Sequence, residues 1–128
     1  MSKENVERVR ASLDAYNRGA LDAVIESLHP DVEFRTLLLG NHRGRDALRT
    51  LYQENRAAFP DYKLEPLELI DAGDQVIAVV RLVGAGRVSQ IELDNRMAFL
   101  ITIEDGLTIR QESFRTKQEA LEAAGLSE

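Results

Sequence analysis

Two histidines are the side chains of this sequence best suited to acid–base chemistry near neutral pH, because an unperturbed imidazole titrates at about pH 6.5. They stand at positions 29 and 42, so no pair has the spacing of a His-x-x-x-His metal motif. His42 follows the first predicted strand and is the candidate general acid or base. His29 precedes Pro30 and is interpreted as a cap or surface residue.

The composition excludes several other chemistries. The chain has no cysteine, which excludes thiolate nucleophiles, disulfides and cysteine-ligated metals. It has neither a glycine-rich phosphate loop nor a metal-ligand cluster, so we expect no cofactor and no metal. The net charge of −6 and the absence of a basic stripe argue against a nucleic-acid partner.

The length and hydropathy of the chain favour one soluble unit. A chain of 128 residues is expected to form a single domain over residues 1–128. The first residues lack the apolar core of a signal peptide, and no segment reaches the roughly 18 apolar residues of a membrane helix. We therefore expect a cytoplasmic protein that does not enter a membrane.

The elements that must position any site follow from hydrophobic periodicity. Before Pro60, three segments show helical spacing, and Pro30 is expected to end the second one before a strand over Val32 to Thr36. After Asp61 the period changes to two, as in strands. The four later strands are predicted over 62–70, 75–85, 92–104 and 107–115.

The order of elements predicts the fold class. Thr116-x-x-Glu119 is a capping box that opens a last, short helix. The resulting order, α-α-β-α-β-β-β-β-α, predicts an α+β fold with the helices packed on one face of a mostly antiparallel sheet. Strands this long twist, so the sheet is expected to curve and to leave a concave space suited to a small ligand.

Several side chains are predicted to face that space. Tyr16, Tyr52 and Asn55 lie on the apolar stripes of their helices, where an asparagine needs hydrogen-bond partners. On the long strand, Asn95, Met97 and Phe99 belong to the more apolar of the two faces. That face is assigned to the cavity.

Five motifs, in this order, resemble one known family. They are YNRGALD at 16–22, LHPDVEF at 28–34, RGRDAL at 43–48, DG at 105–106 and EALEAAGL at 119–126. Together they resemble the SnoaL-like branch of the nuclear transport factor 2-like superfamily. The resemblance implies a cone-shaped α+β barrel with an apolar pocket, often a homodimer through the outer sheet face. Its relatives include polyketide cyclases, ketosteroid isomerases, dehydratases and limonene epoxide hydrolases, so it does not choose one activity.

Alignment with the isomerase-like relatives places Thr36 where they carry an aspartate base and Phe99 where they carry an oxyanion donor. A threonine hydroxyl is a poor base, and a phenyl ring cannot donate a hydrogen bond. Both polar members of that site are therefore missing, and Thr36 is expected to orient a ligand or a water. The epoxide hydrolase pattern is also incomplete, because Arg81-Leu82-Val83 lacks its aspartate.

The same alignment turns Ile109, Gln111 and Ser113 inward on the last strand, and it places Arg115, on the same face, at the rim. Polar residues at inward positions need partners, so Gln111 and Ser113 predict a ligand, an ordered water or each other. A shift of the strand by one residue would place all of them outside instead.

Two hypotheses follow from these residues. The first is a cofactor-free enzyme acting on a small apolar carbonyl compound by cyclisation, isomerisation or hydration, with His42 as the acid or base. The second is a non-catalytic module that binds a small hydrophobic or aromatic molecule or that dimerises. An epoxide hydrolase-like enzyme is a further alternative. A carboxylate or histidine within reach of the cavity would favour an enzyme.

Overall fold

The computed structural model describes residues 2–37, 39–85 and 92–126, which form four helices and six strands. The helices are α1 (Ser2–Arg18), α2 (Leu21–Glu26), α3 (Arg45–Ala58) and α4 (Lys117–Ala123). The strands are β1 (Leu28–Arg35), β2 (Asn41–Arg43), β3 (Lys63–Ala72), β4 (Gln75–Ala85), β5 (Glu92–Glu104) and β6 (Leu107–Phe114). The predicted α+β class is confirmed.

The six strands form one curved, open sheet in the order β2-β1-β6-β5-β4-β3. The pair β1 and β6 is parallel, and the other neighbours are antiparallel. The strands β3, β4, β5 and β6 therefore pair with one another in sequence, while β1 pairs with the far side of β6. This arrangement puts the chain's last strand at the centre of the sheet, between the two halves of the fold.

The two faces of the sheet carry different apolar cores. On the concave face, alternate residues of β4 and β5 such as Val80 and Ile101 pack against Val9 and Leu13 of α1. On the outer face, the intervening residues of the same strands pack against Leu121 of α4. The last helix thus lies on the opposite face from the first three, which corrects the expectation that all helices share one face. The outer face of the sheet can pack against this helix because β4 and β5 are apolar on both sides.

Helix α4 begins as the sequence indicates. The Thr116 hydroxyl accepts a hydrogen bond from the Glu119 amide at 3.1 Å, and the Glu119 carboxylate accepts one from the Arg115 amide at 3.1 Å. These bonds satisfy amide groups that have no partner within the first turn. The homodimer expected through the outer face stays a prediction, and α4 leaves only part of that face open to it.

The first strand begins earlier than the sequence indicates. Pro30 lies inside β1 rather than at the end of a helix, because α2 already stops at Glu26. The proline is tolerated where the pairing of β1 with β6 is irregular, between Leu28 and Glu33. Strand β2, which contains His42, was not predicted, since three residues carry almost no periodic signal.

Strand β6 contains a bulge that decides which side chains face inward. Thr102 pairs with Arg110, but the next residue, Ile103, pairs with Thr108, so Ile109 is an extra residue. The extra residue shifts the inward–outward alternation by one position, so residues three apart across the bulge lie on the same face. Thr108, and not Ile109, therefore shares the inward face with Gln111, which corrects the predicted pattern.

Candidate functional site

A cavity of about 360 Å³ lies between the concave sheet face and the helices α1, α2 and α3. Its volume falls within the range of about 300–1,000 Å³ that is typical of small-ligand sites. Apolar side chains such as Leu13, Val24, Leu51 and Ile101 form much of the wall. The space predicted between the layers is therefore present in the structure.

Nearly all of the aromatic residues of the chain line this cavity. The chain has three tyrosines and four phenylalanines, and all but Phe114 line the cavity. The six are Tyr16, Tyr52, Tyr62, Phe34, Phe59 and Phe99. Several of these rings pack edge to face: the centroids of Tyr16 and Tyr52 are 5.4 Å apart, and those of Phe34 and Tyr52 are 6.1 Å apart. Such contacts fix the rings in place and give the cavity flat, rigid walls.

The three tyrosine hydroxyls are hydrogen-bond donors and not bases at neutral pH. Burial raises the pKa of Tyr62 to about 12. Burial also raises the pKa of Tyr52, and the nearby Tyr16 adds to the effect. For Tyr16, burial and Tyr62 raise the pKa, and the positive charge of Arg56 only partly opposes them. All three phenols therefore keep their protons in the physiological range.

Arg56 links the two backbone segments that carry Tyr16 and Tyr62. Its guanidinium donates hydrogen bonds to the backbone carbonyls of Tyr16 and, at 3.1 Å, Tyr62. It also lies 4.9 Å from the centroid of the Tyr16 ring, within the range of a cation–π contact. One side chain of α3 thus ties α1 to the segment that leads into β3.

Polar side chains interrupt the apolar wall at a few points. Asn55, Gln111 and Ser113 line the cavity, and their side chains make no hydrogen bond to any other described residue. None of their side-chain nitrogen or oxygen atoms is fully buried. Asn95, Met97 and Phe99 line the same space from β5. These groups are available to a bound molecule or to water.

Thr36 and His42 are engaged in holding a loop. The Thr36 hydroxyl donates to the Gly40 carbonyl at 2.6 Å and accepts from the Leu39 amide at 2.9 Å. His42 Nε2 lies 2.7 Å from the Leu39 carbonyl, and since a carbonyl only accepts, Nε2 carries a proton. Thr36 lines the cavity together with Leu37 and Leu39, whereas His42 is absent from the lining. The structure thus places His42 behind the loop, where it positions Leu39.

The described part of the lining contains no Asp, Glu, His, Lys or Arg. Nor do any three His, Asp or Glu residues gather into a possible metal site within the described ranges. The wall offers hydroxyl and amide hydrogen-bond donors and acceptors around a large apolar surface. This set can bind and polarise a carbonyl oxygen.

Four hydroxyl residues of the lining were not predicted from the sequence, namely Tyr62 and a group of three aliphatic ones. Ser12, Ser27 and Thr108 line one end of the cavity. Ser12 had a detectable signal, because it stands three residues after Val9 and four before Tyr16 on the inward stripe of α1. Thr108 had none, since the bulge at Ile109 changes which residues face inward and leaves no mark in the alternation.

Comparisons with known proteins agree with this architecture. The family model described as SnoaL-like domain matches residues 9–111. A search of curated proteins gave no match. Among solved structures, an NTF2-like protein of unknown function from Burkholderia pseudomallei superposes with a TM-score of 0.81 at 22% identity, covering 95% of this chain and 97% of that one.

Two further structures carry functional names. A candidate polyketide cyclase from Xanthomonas campestris pv. campestris matches with a TM-score of 0.79 at 19% identity, over 96% of this chain and 98% of its own. AclR, a candidate hydroxylase from Streptomyces galilaeus, matches with a TM-score of 0.78 at 16% identity, over 98% of each chain. At these identities the likeness shows a common fold. No helix in the described ranges is long and apolar enough to cross a membrane.

Proposed function

This chain belongs to the SnoaL-like domain family, and on that basis we propose that its cavity binds a small, flat, largely apolar carbonyl compound. The observation that carries the proposal is the concentration of aromatic rings: six of seven line one cavity of about 360 Å³. Aromatic side chains give a large apolar contact area and favour stacked or edge-on contacts with other rings. A flat ring system fits such walls better than a flexible chain does.

The polar groups of the wall support a carbonyl on this ligand. Tyr16, Tyr52 and Tyr62 remain protonated, so each hydroxyl can donate to a carbonyl oxygen. The Gln111 amide and the Ser113 hydroxyl add donors from the sheet side. Donors held in a water-poor space interact strongly with a ligand oxygen, since little solvent competes.

The same groups favour binding, and at most polarisation of the carbonyl, over proton abstraction. General-base catalysis needs a group that accepts a proton near neutral pH. The described lining supplies only phenols with raised pKa values, amides and aliphatic hydroxyls. Electrophilic activation of a carbonyl by a neutral donor is the chemistry that remains compatible with this wall.

A binding screen tests the proposal directly. The purified protein would be mixed with 2-acetylnaphthalene, 1,4-naphthoquinone or androstenedione, and thermal unfolding and calorimetric titration would be measured. A ligand at 100 times its dissociation constant adds about 2.7 kcal/mol to the stability. In a domain of this size we expect the melting temperature to rise by several degrees. Chromatography of the same mixtures would report any turnover.

A matched pair of variants locates the binding. Ser113→Phe places a ring into the cavity, whereas Glu112→Phe places the same ring on the outer face of the same strand. We expect the first to abolish the ligand-induced shift and the second to retain it. If none of the compounds binds, or if both variants bind equally well, the cavity is not the ligand site and the proposal is wrong.

A further inference from the structure

The end of the cavity formed by Ser12, Ser27 and Thr108 contains a chain of hydrogen bonds. The Ser12 hydroxyl lies 2.8 Å from the Ser27 hydroxyl, which lies 2.6 Å from the Val24 carbonyl. The Thr108 amide donates to the Ser27 carbonyl at 3.0 Å. Ser27 thus joins Ser12 through its side chain and Thr108 through its backbone. We call these three residues the hydroxyl cluster.

The directions of these bonds are fixed by elementary valence. A carbonyl oxygen can only accept, so the single Ser27 proton points to Val24. The bond between the two serines must then use the Ser12 proton. Both serine protons are committed within the protein, and Ser12 Oγ presents only lone pairs. The Thr108 hydroxyl makes no side-chain hydrogen bond to another described residue, so it can still donate.

From this we propose that the hydroxyl cluster recognises an O–H group on the ligand, at the opposite end from its carbonyl. This inference rests on the proposed function of the cavity and names a second requirement of its ligand. A ligand hydroxyl donates its proton to Ser12 Oγ and accepts one from Thr108 Oγ1. A ligand carbonyl or ether at this end has no proton to give, and it faces the lone pairs of Ser12.

The spacing along β6 sets the length of such a ligand. Thr108 and Gln111 share the inward face, on either side of the bulge. Three residues of extended strand span at most about 10 Å. A two-ring compound with a hydroxyl at one end and a ketone at the other is of this length. The hydroxyl would meet the cluster, and the ketone would meet the donors near Gln111.

An outer cleft reaches the same residues from the other side. This cleft, of about 330 Å³, shares Val9 and the hydroxyl cluster with the cavity and also includes Arg8 and Arg18. A ligand bound in the cleft would also contact Ser12. The experiment therefore needs a variant that alters the cleft alone, and Arg18→Ala serves because Arg18 lines only the cleft.

Three related probes test the requirement for a donor. They are 6-acetyl-2-naphthol, its methyl ether and 2-acetylnaphthalene, which differ only in carrying a hydroxyl, an ether oxygen or hydrogen at one end. We expect the naphthol to bind about tenfold more tightly than either of the other two, the effect of one well-formed hydrogen bond in a confined site. Calorimetric titration measures all three dissociation constants.

Variants assign the preference to the cluster. In Ser12→Ala the naphthol should bind no better than 2-acetylnaphthalene, while 2-acetylnaphthalene itself binds as it does to the parent protein. Thr108→Val should reduce the preference, and Arg18→Ala should leave it unchanged. Circular dichroism melting would verify that each variant is folded. Because 2-acetylnaphthalene serves as an internal reference, a variant with disturbed folding is recognised by weaker binding of all three probes.

The outcomes separate this inference from the proposed function. If the three probes bind the parent protein equally, or if Ser12→Ala keeps the preference for the naphthol, the hydroxyl cluster does not recognise a donor and this inference is wrong. The cavity would still be a ligand site in that case. If no probe binds the parent protein at all, both proposals are wrong. Loss of the preference in Arg18→Ala would place the hydroxyl in the outer cleft and would also overturn the inference.

Discussion

The Asn17 side chain holds the edge strand β3 against α1, because it forms with the backbone of β3 the pair of hydrogen bonds that a neighbouring strand would form. Its side-chain amide donates to the Leu64 carbonyl at 2.9 Å, and its side-chain oxygen accepts from the Leu64 amide at 2.8 Å. Asn17→Ala removes both bonds. Each hydrogen bond of this kind contributes about 0.5–1.5 kcal/mol net, so the free energy of unfolding should fall by about 1–3 kcal/mol. The melting temperature should fall by roughly 4–12 °C.

Two further variants isolate the cause of that loss. Asn5→Ala also removes two bonds, one to the Gly73 carbonyl at 3.1 Å and one from the Arg8 guanidinium at 3.1 Å, but both are exposed to water, so it should cost less than about 1 kcal/mol. Asn17→Asp keeps the acceptor for the Leu64 amide but turns a carboxylate oxygen toward the Leu64 carbonyl. At neutral pH it should be at least as destabilising as Asn17→Ala.

Acid distinguishes the two Asn17 variants. A protonated carboxyl group can donate to the Leu64 carbonyl, so Asn17→Asp should gain stability relative to Asn17→Ala as the pH falls from neutral toward about 4. Urea unfolding at several pH values measures this difference. Leu64 also lines the cavity, so ligand affinity should fall with stability. If Asn17→Ala loses no more stability than Asn5→Ala, or if acid gives Asn17→Asp no advantage, the two hydrogen bonds between Asn17 and Leu64 do not hold β3 against α1 and the explanation is refuted.

Two more predictions concern the sheet. Partial burial raises the pKa of Glu33, but Arg35 and Arg43 outweigh it and hold the pKa below its ordinary value of 4.5. The depressed pKa gives stability that is present above about pH 4.5 and is lost as the pH falls through the folded-state value. Urea unfolding should therefore show the advantage over Glu33→Gln shrinking in acid, and a difference that does not change with pH would contradict this. Gly84→Ala would place a Cβ 3.0 Å from the Tyr62 Cα and 3.3 Å from its amide nitrogen, so it should cost about 1–3 kcal/mol, and unchanged stability would exclude that clash.

The sequence predicts the strongly periodic parts of the fold well. Asn95, Met97 and Phe99 were assigned to one face of a long strand by simple alternation, and all three line the cavity. Alternation works there because β5 pairs with β4 without a shift from Glu92 to Thr102. Tyr16 and Tyr52 followed in the same way from helical stripes. A regular element leaves a regular trace in the sequence.

Irregular elements left no such trace. Pro30 indicates a break in local propensity, but pairing with β6 and β2 extends β1 through it. Tertiary contacts decided the structure there. His42 was favoured because of its side-chain chemistry and its position after the first predicted strand, and neither says which way the ring points. The structure turns its Nε2 toward the Leu39 carbonyl, a short-range contact between β2 and the loop before it that periodicity cannot foresee.

The hydrogen-bond capacity of the cavity differs between its two ends, and this asymmetry fixes how a ligand would lie. Near Gln111 and Ser113 the wall presents donors that no described residue uses. At the other end, the hydroxyl protons of Ser12 and Ser27 are already donated in hydrogen bonds within the protein, so the wall there presents mainly acceptors. A ligand with an acceptor at one end and a donor at the other would have one favoured orientation, because reversal places the ligand's acceptor against the lone pairs of Ser12, at a cost of about 1–3 kcal/mol. The bulge at Ile109 makes this possible, because it keeps Thr108 and Gln111 on the same inward face of one strand.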